Sequence, residues 1–268
     1  MLVHHLNCGS MTPRFPRMQV IVYCLLVETN EGLLLVDTGF GTDDCTHPAG
    51  LMRLFAAYVG APLKIEETAV RQVQRLGFSP EDVEHIVLTH LHLDHAGGLA
   101  DFPAARVHVL RTEFEGAMHP RGLVERFYLP VHWSHGPRWV LHEQCTEEWF
   151  GFDAIRLLPG LSPDILIVPL PGHTRGHCGV AIATQSGWLF HCGDAASPFH
   201  SETDSHCLAG SQHPLNFLPA RFVRGVIGPH VPRLRQLLQE HSDAVALISS
   251  HDIYSFNRNQ GEPYSHHP

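Results

Sequence analysis

The sequence has no apolar run long enough to cross a membrane, no Cys-x-x-Cys pair, no low-complexity tract and too few basic residues to balance its acids. Each absence excludes something. A spanning helix needs about 20 consecutive apolar residues, so no membrane association is expected. Eighteen Lys and Arg against 27 Asp and Glu leave a formal net charge of −9. Phosphate backbones are bound by basic surfaces, so nucleic acid is not the expected partner. The seven cysteines are odd in number and lack paired spacing, which points to reduced thiols in a cytoplasmic protein. Cys24, Cys178 and Cys192 stand in apolar stretches and are expected in the core. Met1 to Gly9 carries histidines and lacks the basic-then-apolar order of a secretion signal.

Histidine is what the chain has in excess, with 23 copies. Most are not ligand candidates. His4, His5, His266 and His267 lie near the termini and are expected at the surface. His85 is expected to begin a strand, and His200, His206 and His213 to sit in a surface loop. The informative stretch is His90-Leu91-His92-Leu93-Asp94-His95, entered from Ile86-Val87-Leu88-Thr89 and followed by Ala96-Gly97-Gly98. Imidazole nitrogen and carboxylate oxygen are the ligands of zinc and similar divalent metals. The run from His85 to Thr89 is short, apolar and β-branched and reads as a buried strand. In an extended segment positions 90, 92 and 94 share one side. Asp94 and His95 fall where a helix is expected to start. His90 and His92 could then serve one metal, and Asp94 and His95 a second.

This pattern resembles the signature of the metallo-β-lactamase superfamily of hydrolases. Further stretches match it in order: Val36-Asp37-Thr38-Gly39, Pro171-Gly172-His173-Thr174, Cys192-Gly193-Asp194 and Ser250-His251-Asp252, each after an apolar run. The resemblance implies an α/β fold, a four-layer αββα sandwich with a dinuclear metal site at one sheet edge. It assigns His90, His92 and His173 to one ion and Asp94, His95 and His251 to the other, with Asp194 bridging. Asp94 would also carry a proton to the leaving group. Asp37 is read as an acceptor that orients a ligand histidine, or as a cap on the turn at Thr38-Gly39. His177, four residues after His173, is read as a hydrogen-bonding partner rather than a ligand. The metals implied are zinc, with iron and manganese also suited to these ligands.

The ligand types narrow the class. Asp194 stands where the β-lactam-hydrolysing members carry cysteine or serine. Asp94-His95 is intact, unlike the single-iron members, and His92 is not the glutamate of the diiron flavoproteins. The chain is most similar to the N-acyl homoserine lactone lactonases, in Val20 to Glu28, in Val36 to Gly39, in His90 to Gly98 and in Pro171 to Thr174. It departs where they carry a tyrosine three residues after the bridging aspartate. Ser197 stands there, followed by Pro198-Phe199, and Tyr128 or Tyr254 would have to substitute. The expected function is therefore opening of a lactone or ester carbonyl in a small molecule with an apolar portion. The alternatives are thioester hydrolysis of the glyoxalase II kind, with Arg175 and Arg221 or Arg224 receiving substrate carboxylates, and a non-catalytic metal-binding protein on the same fold.

At 268 residues the chain is expected to be one domain spanning 1–268, with insertions around 40–66 and 119–153. Val20 to Glu28 and Leu33 to Asp37 read as a hairpin, Glu67 to Leu76 as an amphipathic helix ended by Gly77, and Val107 to Leu110 as a strand. Glu113 to Met118 starts a helix. Leu51 to Val59 is apolar around most of its circumference and needs cover, from a lid contact or a second copy in a homodimer. Residues 119–153 read as irregular and aromatic-rich, with Phe127 and Tyr128 among the candidates for a substrate wall. A weak duplication is visible. A helix precedes the strand that leads to His90, and another, Pro232 to His241, precedes the strand that leads to His251.

Overall fold

A computed structural model describes residues 2–13, 18–48, 50–122, 124–196 and 230–259. Among the described residues, twelve strands form two six-stranded sheets. The first holds β1 (Val3–Met11), β2 (Val20–Thr29), β3 (Gly32–Val36), β4 (Val83–Val87), β5 (Arg106–Leu110) and β6 (Arg138–His142), in that order. The second runs β12 (Val245–Ile248), β11 (Gly187–His191), β10 (Cys178–Thr184), β9 (Ile165–Pro169), β8 (Phe152–Arg156), β7 (Glu147–Trp149).

Three apolar clusters define the layers. One lies between the sheets and draws Tyr23, Leu25, Leu34 and Val87 from the first and Ile167, Val180, Ile182 and Leu189 from the second. Strands buried on both faces read as continuous apolar runs, which is why Val20 to Val27 shows no alternation. A second cluster packs Leu26, Leu35, Ile86 and Val107 under α2 (Gly50–Val59) and α3 (Ala69–Arg75). The third packs Phe190 and Val168 under Leu234 and Leu237 of the helix Val231–His241. Helix, sheet, sheet, helix is the expected four-layer sandwich. No described helix is long and apolar enough to cross a membrane.

The duplication appears as topology. β2 and β3 pair antiparallel, and β3 then pairs parallel with β4, across α3. β10 and β11 pair antiparallel, and β11 pairs parallel with β12, which follows the helix Val231–His241. β4 leads to His90 and β12 to His251, so equivalent strand ends supply both.

Four expectations are corrected. No α-helix begins at Asp94-His95: a turn at residues 93–95 gives way to a 3-10 helix, Gly97–Asp101. The stretch 119–153 is not irregular throughout, since β6 completes the first sheet and β7 is the edge of the second. His85 lies inside β4, where its Nδ1 meets His108 Nε2 at 2.9 Å. His5 is not solvent-exposed but half-buried in β1, its Nδ1 2.6 Å from the buried Tyr23 hydroxyl. As expected, Cys24, Cys178 and Cys192 are buried in the core.

Candidate metal centre

The parallel strands β3 and β4 end side by side, and the site begins there. Asp37 follows β3 with φ 57°, a left-handed conformation that only a short polar side chain adopts at modest cost. Its carboxylate is fully buried. Oδ1 accepts the Thr89 N–H at 2.8 Å, and Oδ2 accepts both the Thr89 hydroxyl at 2.8 Å and His95 Nδ1–H at 2.9 Å. Because the Thr89 proton goes to Asp37, His90 Nδ1–H must be the donor in its 3.0 Å contact with Thr89 Oγ1. His251 Nδ1–H donates to the Ile21 carbonyl at 2.8 Å. In its neutral form each of these three rings therefore keeps its proton on Nδ1 and turns the Nε2 lone pair the other way.

Those lone pairs converge. His95 Nε2 is 3.6 Å from Asp194 Oδ1, and His90 Nε2 is 4.0 Å from Asp194 Oδ2. His173 Nε2 and His251 Nε2 each lie 3.4 Å from Asp194 Oδ2. Asp94 lies 3.8 Å from both His95 Nε2 and His251 Nε2, and His92 Nδ1 is 3.1 Å from His173 Nε2. His90, His92 and His173 form one compact group, His90, His95 and Asp194 another, and Asp94, His95 and His251 a third, each within 4.8 Å. His177 belongs to none of them. Its Nδ1–H donates to the Leu170 carbonyl at 3.1 Å, and its Nε2 accepts the Asp194 N–H at 2.9 Å, so it holds the backbone of the shared aspartate.

Burial, reinforced by neighbouring imidazoles, drives His90 and His92 well below the ordinary histidine range. Burial opposes a charge on His95 too, but Asp194, Asp94 and Asp37 override it and push that ring up to about 10. His251 is pushed up to about 8 against burial by Asp194 and Asp94. Asp194 is held well below the usual carboxylate range: burial resists, and the fields of His251, His95 and His173 prevail. His90 Nε2, His95 Nε2 and Asp194 Oδ1 are buried with no hydrogen-bond partner. Buried polar atoms are ordinarily satisfied. Orphaned lone pairs of three residues facing one another fit a divalent cation and no hydrogen bond among themselves.

Residues 17–222 match the metallo-beta-lactamase superfamily domain. The chain belongs to the metallo-β-lactamase superfamily. It is similar to a probable metallo-hydrolase of Mycobacterium tuberculosis, 38% identical over 93% of this chain and 80% of that one. It is also similar to an N-acyl homoserine lactonase of Bacillus thuringiensis subsp. kurstaki, 28% identical over 87% of this chain and 86% of the relative. A solved N-acyl homoserine lactone hydrolase with N-hexanoyl-L-homoserine at its catalytic metal centre superimposes with a TM-score of 0.68 over 98% of both chains. At 22% identity that likeness is one of fold. This metallo-hydrolase thus brings all seven residues singled out by its sequence to one place, with Asp37 and His177 behind them.

Other expectations fare differently. Tyr128 does not stand free to meet a substrate: it is buried, and its hydroxyl donates to Glu113 at 2.9 Å. Tyr254 is exposed on the helix Ile253–Asn259. Phe127 is half-exposed and packs edge-on against both His92 and Phe55 of α2, as a wall residue would. Arg175 is occupied, with Nε donating to Glu125 at 2.5 Å and Nη2 to the His119 carbonyl at 2.9 Å. Ser197, Pro198, Phe199, His200, His206, His213, Arg221 and Arg224 lie outside the described residues, as do His266 and His267. Sequence reading missed Thr89 and Glu113. Only the position of Thr89 directly before His90 hinted at a role.

Proposed function

We propose that this superfamily member opens a lactone or ester carbonyl with two divalent ions, zinc being well suited, held by His90, His92 and His173 on one side and Asp94, His95 and His251 on the other, with Asp194 shared. What carries the reading is the set of bare, buried Nε2 and Oδ atoms from segments far apart in sequence, turned toward one point. Bound there, such ions would lower the pKa of a water toward neutrality and polarise a carbonyl. The protein's own groups supply the rest. Asp37, through Thr89 and directly, fixes His90 and His95; His177 fixes Asp194. Asp94, the one carboxylate of the cluster supplied by the turn itself, takes the proton of the attacking water and returns it to the oxygen released when the acyl carbon–oxygen bond breaks. Phe127 offers an apolar face beside His92 for the non-reacting part of a small-molecule substrate.

Thioester hydrolysis of glutathione-like substrates ranks below this. Such substrates bring carboxylates, and Arg175 is already committed to Glu125. A non-catalytic role is disfavoured because none of the seven ligand types is missing. The test is metal counting on purified protein with a panel of acyl lactones, aryl esters, thioesters, β-lactams and phosphodiesters, run beside Asp94→Ala. We expect about two metals per chain, turnover of a lactone or ester, and loss of most of it in the variant. Thioesters alone as substrates would select the alternative. Full metal content with activity on none of the panel would overturn the hydrolytic reading.

A further inference from the structure

Glu113 lies in the first turn of α4 (Arg111–Met118), outside every segment that supplies the cluster, and is fully buried. A buried carboxylate is costly unless its oxygens are met by donors. Here four donors meet it. Oε1 accepts the Leu91 N–H and the Tyr128 hydroxyl, both at 2.9 Å. Oε2 accepts the Thr174 hydroxyl at 2.6 Å and the Gly176 N–H at 3.2 Å.

The identity of those donors gives the carboxylate its meaning. Leu91 sits between His90 and His92, and Thr174 follows His173. One side chain therefore joins the two backbone segments that deliver the His90–His92–His173 group. The fit is close: a Cβ on Gly176 would come within 2.1 Å of the Glu113 nitrogen. Tyr128 adds a second brace, since its backbone bridges to His92 while its hydroxyl reaches Glu113. The Asp94–His95–His251 group is anchored otherwise, by Asp37 and by the Ile21 carbonyl.

We propose that Glu113 is the positioning residue of the His90–His92–His173 group: its carboxyl group holds the two segments at the separation at which their three imidazoles meet. This rests on reading the cluster as a metal centre. The chemistry requires the carboxylate itself. The Leu91 and Gly176 amides can only donate, one to each oxygen, so an amide in place of the carboxylate must turn its NH2 against one of them. Glu113→Gln, though isosteric, therefore breaks the clamp.

The experiment is zinc titration of the full-length chain against a chromophoric chelator, with metal counting after dialysis. Wild type is expected to hold two ions per chain, about two being the number for such sites. Glu113→Gln is expected to weaken one of them by about tenfold or more and leave the other unchanged. Leu237→Ala, a core truncation under the far sheet, serves as the control for simple destabilisation and should keep both ions. Glu113→Gln with both affinities at the wild-type level, or with both lowered together, would overturn the proposal. Should Glu113→Gln fail to fold, Tyr128→Phe combined with Thr174→Val removes two of the four donors and should weaken the same single ion; unchanged binding there would overturn it as well. A wild-type chain that takes up no zinc would instead overturn the metal reading, and the proposal with it.

Discussion

Asp37 and Thr89, 52 residues apart, are joined by two hydrogen bonds of 2.8 Å, backbone amide to Oδ1 and hydroxyl to Oδ2. The pair ties the end of β3 to the end of β4 and sets the protonated nitrogen of His90 and of His95 at once. Asp37→Asn preserves the left-handed backbone, which asparagine tolerates, but turns an NH2 toward at least one donor. Metal affinity is expected to fall by about 10- to 100-fold, read by chelator competition; wild-type affinity would remove Asp37 from the site.

Metal binding and stability are linked. A ligand that binds only the folded chain stabilises it by about 2.7 kcal/mol at 100 times its Kd. The melting temperature should therefore rise with zinc concentration in the chelator-treated protein, and His251→Ala should flatten that rise. A zinc-independent melting temperature in the wild type would contradict the assignment.

Acid should destabilise the fold away from the metal centre. His85, His108 and His142 form a chain across β4, β5 and β6, with contacts of 2.9 Å from His85 to His108 and from His108 to His142. Burial and the fields of His142, His85 and Arg106 push His108 down to about 3. His85 is lowered by burial and Arg106, against the pull of Glu31 and Glu84, and His142 by burial. An unfolded histidine takes up its proton near pH 6.5 and the folded chain does not, so stability is full above that value and is lost as pH falls from about 6.5 toward 3. Each proton so refused steepens the loss by about 1.4 kcal/mol per pH unit. Urea unfolding of the metal-free protein between pH 7 and 4 should show a shallower pH dependence in His108→Gln than in wild type. Equal slopes would show that the triad does not contribute.

His132 and Asp44 are a buried pair with Nε2 and Oδ1 2.8 Å apart, and Asp44 Oδ2 also accepts the Gly41 N–H at 3.0 Å. They fasten α1 (Thr42–Thr46) to the 3-10 turn Pro130–Trp133. His132→Ala leaves Asp44 Oδ1 buried and unmet, at a cost of about 1–3 kcal/mol, measurable by urea unfolding. A loss within error of zero would mean that water replaces the ring.

Much of the centre could be read from the chain because its ligands are local. His90 to His95 is one short stretch, and each remaining ligand follows an apolar strand whose end the pattern marks. The strands themselves were legible for the same reason: a run such as Val20 to Val27 has nowhere to go but a core. Legibility failed where aromatic and turn residues interrupt the pattern, and so β6 and β7 were hidden within 119–153.

What the sequence by itself determined was the chemistry on offer: seven candidate nitrogen and oxygen ligands, the strand ends that carry them, and the family to which the chain belongs. The tertiary structure decided which polar atoms are left without a hydrogen bond, that Tyr128 is spent on Glu113, that Arg175 is spent on Glu125, and that a carboxylate from α4 lies between the His90–His92 and His173 segments. None of these follows from local pattern. A hydrogen bond between residues tens of positions apart depends on how strands and helices pack, and packing is a property of the whole chain.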